Sequence, residues 1–351
     1  MNINLAVVGL GRMGQIHALH ARQVADEIDG CRLVALVDRD LERARSLAEG
    51  VAVYPGVDEL IASGVANAAV VCTPTAHHQE HATKLIEAGL RVLLEKPMTL
   101  QLATDREFAA MLDVAYPRSL MLAFQRRFDP PLQYAKNLLD QGKIGRCFKI
   151  VSALEDSGPA PATFRSGGIL KDMSVHNVDE VLWFTGRLPD CAASGGSSVC
   201  ARRIQPETED EYDDGFIRLW FGDDAIAEVQ VTRNHVSGYR IETWIFGTEG
   251  QIHIGRFEQD RHKVLLEAYG RQQVIERKEF VMPNYGDALP EFVHRFGPAY
   301  KEEVHTFVRC CVDETPFPIS HKDGLRAMEI IAAAQQCRWT RESAQALRWQ
   351  S

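Results

Sequence analysis

Three glycines near the start of the chain restrict its possible folds more than any other feature. They stand at Gly9, Gly11 and Gly14, after the apolar run 3–8 and directly before an amphipathic pattern that is typical of a helix. In a strand, tight turn and helix, the first glycine makes the turn, the second allows a close backbone approach, and the third lets helix and strand pack closely. Free N–H groups at the helix start then face an anion. The spacing therefore predicts a site for the pyrophosphate of a dinucleotide, rather than a glycine-rich loop without a ligand.

The composition restricts the class of protein. The chain has 351 residues, of which 45% are hydrophobic and 25% charged, as in a globular protein with room for two domains. A net charge of −9 argues against a nucleic-acid partner, and no apolar run is long enough for a bilayer. The eight cysteines are scattered without a C-x-x-C pair, and the N-terminus shows no signal-peptide pattern. We therefore expect a reducing, cytoplasmic setting, with neither a disulfide framework nor a zinc site.

A second apolar run, residues 31–37, ends in Asp38. An acid at this point of a β-α-β unit can accept hydrogen bonds from the adenosine ribose hydroxyls. Because its charge would repel a 2′-phosphate, Asp38 favours NAD over NADP. The neighbouring Arg39 keeps NADP as the alternative, since a guanidinium there can bind that phosphate. Asp38 could instead cap the following helix, although Asp40 fits that position better.

Strands and helices alternate at short intervals as far as residue 124. This alternation predicts a parallel, doubly wound sheet, in which ligands bind at the carboxyl ends of the strands. Polar residues stand at those predicted ends: Asp38, Thr73, His78, Lys96 and Gln125. Lys96 would point towards the place of the nicotinamide. Taken alone, it could equally be a surface lysine paired with Glu95.

The second half of the chain has a different pattern. Asp172 and His176 are spaced i, i+4, which places them on one face if the segment is a helix, with Gly186 as its end. Such a pair could also be a surface pair without a chemical role. Beyond residue 190, paired period-2 strands flank turn residues, which predicts a mostly antiparallel sheet with one helix-covered face. Two closing amphipathic helices are predicted over residues 301–312 and 325–339.

A set of short motifs extends along nearly the whole chain. They are Gly9-Leu-Gly-Arg-Met-Gly14, Thr73-Pro74 with His78, Glu95-Lys96-Pro97, Arg126-Arg127-Phe128-Asp129-Pro130, residues 142–145, residues 166–179, Gly238-Tyr239, Arg295-Phe296 and Ala299-Tyr300. Together they resemble the glucose–fructose oxidoreductase, inositol dehydrogenase and rhizopine-catabolism (Gfo/Idh/MocA) family. The later groups are most similar to its inositol 2-dehydrogenase branch. The fold expected is α/β, with an N-terminal Rossmann domain over 1–124 and an α+β domain over 125–351 for substrate binding and oligomerisation.

The resemblance implies an oxidoreductase that transfers a hydride from a secondary alcohol of an inositol, another cyclic polyol or a pyranose to NAD. It implies that His176 is the general base, that Asp172 is its polar partner or a substrate ligand, and that Lys96 stabilises the developing alkoxide. Arg127 and Tyr239 match positions near the substrate, as do the three catalytic residues. The cofactor-binding residues implied are Gly9, Gly11, Arg12, Met13, Gly14, Asp38, Arg39, Thr73, Pro74, His78, Glu95, Lys96 and Gln125.

Two alternatives stay open. One is an NADP-dependent sugar or keto-sugar reductase of the same family, with Arg39 holding the 2′-phosphate. The other is an NAD-binding sensor without turnover, which would lack a catalytic residue. Metal catalysis is not expected, because the twelve histidines form no ligand set in the sequence. A histidine group at 77, 78 and 81 falls at a predicted helix start where His78 already has a family role.

Two departures from the family bear on the substrate. Asn177 replaces an aspartate that often follows the base, and the loop 157–165 is particular to this chain. The resemblance also implies a homo-oligomer, a dimer or tetramer that pairs through the C-terminal sheet. The alternative is a sheet that simply faces water. No membrane or nucleic-acid partner is expected.

Overall fold

A computed structural model describes residues 2–156, 158, 168–197, 212, 214–235, 237–255, 262–286 and 291–339. The chain forms two compact units, one of residues 1–130 with 285–326 and one of residues 131–284 with 327–351. The loop 157–165, apart from Gly158, lies outside the described residues. Within the described ranges, no helix combines the length and the apolar character needed to cross a membrane.

The first unit is built on a parallel sheet. Its strands are β1 Ile3–Val8, β2 Cys31–Val37, β3 Ala52–Tyr54, β4 Ala68–Val71, β5 Arg91–Glu95 and β6 Leu120–Ala123. In the described part of the chain these six strands follow the order β3-β2-β1-β4-β5-β6, and every neighbouring pair is parallel. The helices between them are α1 Arg12–Glu27, α2 Leu41–Ala48, α3 Val57–Ser63, α4 His78–Glu87 and α5 Leu102–Ala115. The predicted doubly wound Rossmann sheet is confirmed.

The first unit also takes in residues 285–326, which follow the second unit's strands in the chain. They include helix α9 Glu291–Asp313 and the start of helix α10 His321–Gln336. Helix α9 lies against α1, where the ring of Tyr300 meets the ring of His17 edge-on, with centroids 5.8 Å apart. The sequence predicts a single domain boundary after residue 124. The first unit also includes residues 285–326, because contacts such as that of Tyr300 with His17 join residues that are far apart in the sequence.

The closing helices do not keep the predicted bounds. Helix α9, predicted over 301–312, begins ten residues earlier and contains Pro298. Proline lacks an N–H and usually ends or kinks a helix, so the pattern before it does not indicate one. Helix α10, predicted over 325–339, ends at Gln336 and is followed by strand β15 Arg338–Trp339.

The second unit is built on a larger sheet. Its other strands are β7 Cys147–Glu155, β8 Cys191–Ser197, β9 Asp214–Phe221, β10 Ala225–Thr232, β11 Arg240–Gly247, β12 Gly250–Ile254, β13 Lys263–Gly270 and β14 Val274–Val281. As far as the structure describes the chain, nine strands follow the order β14-β13-β12-β11-β7-β10-β9-β8-β15. Only the β7–β10 and β8–β15 pairs among these are parallel, so the mostly antiparallel sheet is confirmed. The helices are α6 Pro130–Asp140, α7 Ile169–Asp172 and α8 Ser174–Thr185.

Candidate functional site

Close backbone contacts shape the glycine turn after β1. Gly9 has a φ of +84°, which glycine adopts at little cost, and a Cβ there would lie 2.7 Å from the backbone nitrogen of Thr73. A Cβ on Gly14 would lie 1.7 Å from the carbonyl oxygen of Gly9. Helix α1 can therefore approach the turn only with glycine at this position. A Cβ on Gly11 would meet no atom within 4 Å, so this side of the turn has room for a ligand.

The start of α1 fits the predicted pyrophosphate. No described side chain caps this helix, and its first turn contains no acidic residue. Its first N–H groups, including those of Arg12 and Met13, have no partner within the helix and can face an anion. The side chain of Arg12 is exposed and that of Met13 is half-buried. The open space at Gly11 and these N–H groups together suit a dinucleotide phosphate.

Asp38 supports the same turn from the end of β2. Its Oδ2 accepts a 2.6 Å hydrogen bond from the N–H of Leu10, between the first two glycines, and its Oδ1 accepts one of 2.8 Å from Asp40. Each carboxylate oxygen keeps a second lone pair, so ribose hydroxyls can still donate to it. The N-cap of α2 is Asp40, whose side chain accepts from the N–H of Arg43. The alternative that Asp38 caps this helix is therefore wrong.

His78 links the ends of two neighbouring strands. Its Nδ1 lies 2.8 Å from the carbonyl oxygen of Pro97 and its Nε2 lies 2.8 Å from that of Thr73. The ring is 1% exposed, and burial lowers the pKa of His78. Because both ring nitrogens face backbone carbonyls, His78 holds the chain after β4 against the chain after β5. Its predicted contact with the cofactor stays a prediction.

Glu95 holds the backbone of Lys96. One oxygen of its buried carboxylate lies 2.8 Å from Nε2 of His17, and the other accepts a 3.0 Å hydrogen bond from the N–H of Lys96. Burial alone would raise the pKa of Glu95, but the hydrogen bond from His17 and the nearby positive charges lower it below its ordinary value. Both oxygens of the Glu95 carboxylate are therefore in contact with protein groups, and the carboxylate is buried rather than exposed at the surface.

The segment after β6 is rich in ion pairs within the first unit. Gln125 begins a 3-10 helix, Gln125–Phe128, and is buried. The guanidinium of Arg127 lies 2.9 Å from Oδ1 of Asp323, so its predicted role near the substrate would be shared with this pairing. Asp129, fully buried, accepts two hydrogen bonds of 2.5 and 2.9 Å from Arg295. Two of the motifs seen in the sequence thus form one bidentate pair.

In the second unit, Asp172 and His176 belong to consecutive short helices. Asp172 is the last residue of α7 and His176 lies in the first turn of α8. Met173 separates the two helices. The single helix predicted from the spacing is thus interrupted, although helical hydrogen bonds from Asp172 and Met173 are kept. Gly186 ends α8 with a φ of +62°, as expected for a C-cap.

The carboxylate of Asp172 pairs with the guanidinium of Arg233, which lies just beyond β10. The Nε of Arg233 also lies 3.4 Å from Sδ of Met173. Arg233 is 7% exposed, so its ion pair with Asp172 is largely shielded from solvent. The sequence pattern around Arg233 contains no motif that would single it out, since the pairing joins residues 61 positions apart.

A buried polar cluster anchors α8 on the sheet. The amide of Asn177 donates a 2.7 Å hydrogen bond to the hydroxyl of Ser152, which in turn donates to Glu180 at 3.0 Å. Thr243 donates to the same carboxylate at 2.5 Å. Asn177 is fully buried, so the departure from the family at this residue falls within a packed cluster. Tyr239, half-buried, lies directly before β11.

Comparison with known proteins defines the family. Residues 3–122 match the model of an oxidoreductase family with an NAD-binding Rossmann fold, and residues 132–253 match the C-terminal domain of the same family. A myo-inositol dehydrogenase of Streptomyces leeuwenhoekii is 30% identical over 261 residues, which cover 72% of this chain and 77% of that protein. The chain belongs to the Gfo/Idh/MocA oxidoreductase family. The resemblance inferred from the motifs is confirmed.

Two further proteins are similar to this chain over most of their length. A scyllo-inositol 2-dehydrogenase (NAD(+)) of Bacillus subtilis is 29% identical over 314 residues, or 88% of this chain and 86% of that protein. The crystal structure of a scyllo-inositol dehydrogenase from Lactobacillus casei, with bound NAD(H) and scyllo-inositol, has a TM-score of 0.77 at 28% identity. That similarity covers 96% of this chain and 97% of the other. The Gfo/Idh/MocA chain described here is thus an oxidoreductase, and its cofactor is NAD.

The structure brings most of the predicted cofactor residues to one edge of the first unit's sheet. The glycine turn, Asp38, Thr73, Pro74, Lys96 and Gln125 all follow the carboxyl ends of parallel strands. Arg39 is exposed beside Asp38. Asp172, His176 and Tyr239 lie in the second unit. Sequence reasoning missed the residues that contact the predicted site residues within each unit. In the first unit these are His17, which contacts Glu95, and Asp323, which contacts Arg127. In the second unit it is Arg233, which contacts Asp172.

Proposed function

We propose that this protein is an NAD-dependent dehydrogenase that oxidises a secondary alcohol of a cyclic polyol. The substrate we favour is an inositol, in the myo- or scyllo- form, with pyranose sugars as the wider class. The relatives named above support this assignment, since they are inositol dehydrogenases at 28 to 30% identity. The structural observation that carries it is the restraint of Lys96, whose backbone N–H is held by Glu95 directly after β5.

The residues of the chain divide the chemistry between them. NAD, when bound, would supply the acceptor for the hydride that leaves the ring carbon of the substrate. We assign removal of the hydroxyl proton to His176, because an imidazole titrates near neutrality. The ammonium group of Lys96 stabilises the negative charge that develops on the same oxygen. Asp172, with its charge balanced by Arg233, orients a substrate hydroxyl or His176.

The cofactor is assigned to the first unit. The pyrophosphate would lie against the glycine turn and the N–H groups at the start of α1, and the adenosine ribose would donate hydrogen bonds to Asp38. Thr73, Pro74 and Gln125 would border the nicotinamide half. The carboxylate of Asp38 is already oriented by two backbone N–H groups, so little reorganisation is needed when the ribose binds.

A second candidate is an NADP-dependent sugar or keto-sugar reductase of the same family. Two arginines favour it: Arg39 is exposed next to Asp38, and Nη1 of Arg43 lies 3.8 Å from the Asp38 carboxylate. A 2′-phosphate could take either guanidinium as its partner. A non-catalytic NAD-binding sensor is less well supported, because Lys96, Asp172 and His176 are all present.

We also propose a homo-oligomer, a dimer or a tetramer, that pairs through the sheet of the second unit. Thr243 of β11 contacts Glu180 of α8, so its neighbour Trp244 points to the opposite face. Trp244 and Phe246 stack there with ring centroids 5.9 Å apart and are half-exposed. Aromatic residues are enriched at protein interfaces relative to the rest of the surface. Light scattering after size exclusion tests this assembly, and a monomeric mass would contradict it.

The experiment that tests the activity is reduction of NAD and of NADP at mildly alkaline pH against a panel of inositols and aldoses. Turnover of one inositol with NAD is the expected result. Activity on aldoses alone, or with NADP alone, would support the second candidate. Measurable NAD binding without turnover of any panel member would contradict both enzymatic assignments within this substrate class. The Lys96→Met variant gives the background rate. Lys84→Met, at a half-buried lysine of α4, is the matched control.

A further inference from the structure

Three potential metal ligands meet at the start of α4, beside the residues assigned to the cofactor. His77 ends the 3-10 helix Thr75–His77, and Glu80 and His81 lie in the first turn of α4. One ring nitrogen of each histidine and one carboxylate oxygen of Glu80 all lie within 4.8 Å of one another. The two imidazole rings are stacked, with centroids 5.5 Å apart and planes inclined by 19°. The i, i+4 spacing places both rings on the same side of the chain.

We propose that His77, Glu80 and His81 bind one divalent transition-metal ion of the Zn²⁺, Ni²⁺ or Cu²⁺ type. Imidazole nitrogen is a preferred ligand of these ions, and a carboxylate oxygen is compatible with them. The ligand atoms of one tetrahedral ion, with bonds of about 2.1 Å, lie about 3.4 Å apart. Small side-chain rotations therefore bring the three groups to bonding distance. Water completes the coordination, since the site opens to solvent.

A hydrogen bond already orients one of the ligands. Nδ1 of His81 lies 3.1 Å from Oγ1 of Thr73. Histidine ligands commonly donate their second N–H to an oxygen, which fixes the tautomer and directs the other nitrogen to the metal. With Nδ1 donating to Thr73, Nε2 of His81 carries the lone pair that the ion needs. Thr73 lies two residues after the end of β4, so its position is restrained by the sheet.

Glu80 can turn to an ion without leaving a charge unpaired. In the structure its carboxylate lies 3.2 Å from Nζ of Lys84. Lys84 has a second acidic partner, since the same ammonium group lies 3.1 Å from Oδ2 of Asp58. If Glu80 rotates towards the two histidines, Lys84 keeps its pair with Asp58. Rotation of Glu80 therefore leaves no charged partner without an ion pair.

The structure separates this site from the neighbouring histidine. His78 is 1% exposed and both of its nitrogens face backbone carbonyls, so it is not a ligand. His77 is exposed and His81 is half-buried. The sequence predicts no metal site from the three histidines at 77, 78 and 81. In the structure His78 is buried, whereas His77 and His81 are accessible to solvent. The proposed ion has no role in hydride transfer.

A titration of the untagged full-length protein with Ni²⁺, followed by calorimetry, tests the proposal. Nickel is the probe because it prefers imidazole and competes less for the cysteines than softer ions. We expect one equivalent to bind to the wild type. His77→Gln and His81→Gln should each weaken this binding by a factor of about ten or more, because loss of even an outer partner of a ligand costs about ten- to a hundredfold in affinity. Glu80→Gln should weaken it by less, because water can replace a carboxylate.

The matched control is His305→Gln. His305 lies on helix α9 with Nδ1 3.7 Å from the carboxylate of Glu302, so it offers one histidine and one acid on a helix surface but no second histidine. The control should bind Ni²⁺ as the wild type does. Absence of binding to the wild type would overturn the proposal. So would Ni²⁺ affinity that is unchanged in both the His77 and the His81 variant, with circular dichroism confirming that each is folded.

Discussion

The Nε2 atom of His17 lies 2.8 Å from Oε1 of Glu95. This contact joins helix α1 to the end of β5, and the second oxygen of Glu95 binds the N–H of Lys96. His17 is fully buried and stands three positions after the last glycine of the turn. The helix that would face the cofactor phosphates therefore also restrains the proposed catalytic lysine.

His17→Leu should lower kcat more than it raises the Kd for NAD. Without the hydrogen bond, the Glu95 carboxylate is free to rotate, and a small displacement of Lys96 can reduce the rate by about ten- to a hundredfold. Steady-state kinetics and NAD titration measure the two effects. His17→Gln keeps an N–H donor and should recover part of the rate. Equal kcat values in the two variants would show that His17 only fills space.

Lys96→Met should abolish turnover while leaving the Kd for NAD within about tenfold of the wild type. The reason is that the ammonium group is assigned to the charge that develops on the substrate oxygen, and that charge is absent when only NAD binds. Initial rates and fluorescence titration with NADH provide the comparison. Lys84→Met, at a half-buried position of α4, should retain full activity. Intact turnover in Lys96→Met would remove Lys96 from the mechanism.

Asp38→Ala should weaken NAD binding more than NADP binding. The substitution removes the acceptor for the ribose hydroxyls and the charge that repels a 2′-phosphate. The ratio of the two Kd values is the measurement, because loss of the hydrogen bond to Leu10 disturbs the turn for both cofactors alike. Asp40→Ala removes the cap of α2 and the ion pair of Asp40 with Arg43 but keeps the Asp38 carboxylate, so it should change the ratio less than Asp38→Ala does. An unchanged ratio in Asp38→Ala would mean that Asp38 serves the turn alone.

Gly14→Ala should destabilise the first unit, whereas Gly11→Ala should affect cofactor binding instead. Alanine normally stabilises a helix relative to glycine, but a Cβ at position 14 would lie 1.7 Å from the carbonyl oxygen of Gly9. Overpacking of this kind costs about 1 to 3 kcal/mol or more. At Gly11 the added methyl group meets no protein atom and would occupy the room for the phosphate. Thermal unfolding and NAD titration separate the two outcomes. Equal melting temperatures for both variants would contradict this explanation.

Glu303→Gln should make the protein more stable at neutral and alkaline pH. Glu303 of α9 is fully buried, and neither carboxylate oxygen has a hydrogen-bond partner among the described residues. Burial, and then the charge of Glu95, raise the pKa of Glu303 well above its ordinary value. The folded state therefore binds a proton that the unfolded state has released, and stability falls as pH rises, by about 1.4 kcal/mol per unit between the two pKa values.

Urea unfolding of wild type and Glu303→Gln between about pH 5 and pH 8 measures this difference. The stability of the variant relative to the wild type should grow with pH. His20 acts in the opposite direction at low pH, because burial lowers its pKa to about 4, but it is common to both proteins and cancels. Glu302→Gln, at the exposed neighbouring residue, should follow the wild type. Parallel curves for wild type and Glu303→Gln would show that Glu303 does not retain its proton.

The sequence by itself determined the features that depend on neighbouring residues. The glycine turn, the alternation of strands and helices, the cap at Asp40 and the end of α8 at Gly186 follow from backbone freedom, side-chain period and capping over a few positions. The paired strands of the second unit are of the same kind, since tight turns join them. The family motifs also predicted the class of enzyme, an oxidoreductase, and its cofactor, NAD.

Only the tertiary structure decided which distant side chains meet. His17 and Glu95 are 78 positions apart, and Asp129 and Arg295 are 166 apart, so no local pattern contains either pair. The same holds for residues 285–326, whose place in the first unit depends on packing against α1. It also decided that His78 points inwards while His77 and His81 point outwards. Burial and long-range pairing depend on the whole fold, whereas turns and periodicity depend on the chain nearby.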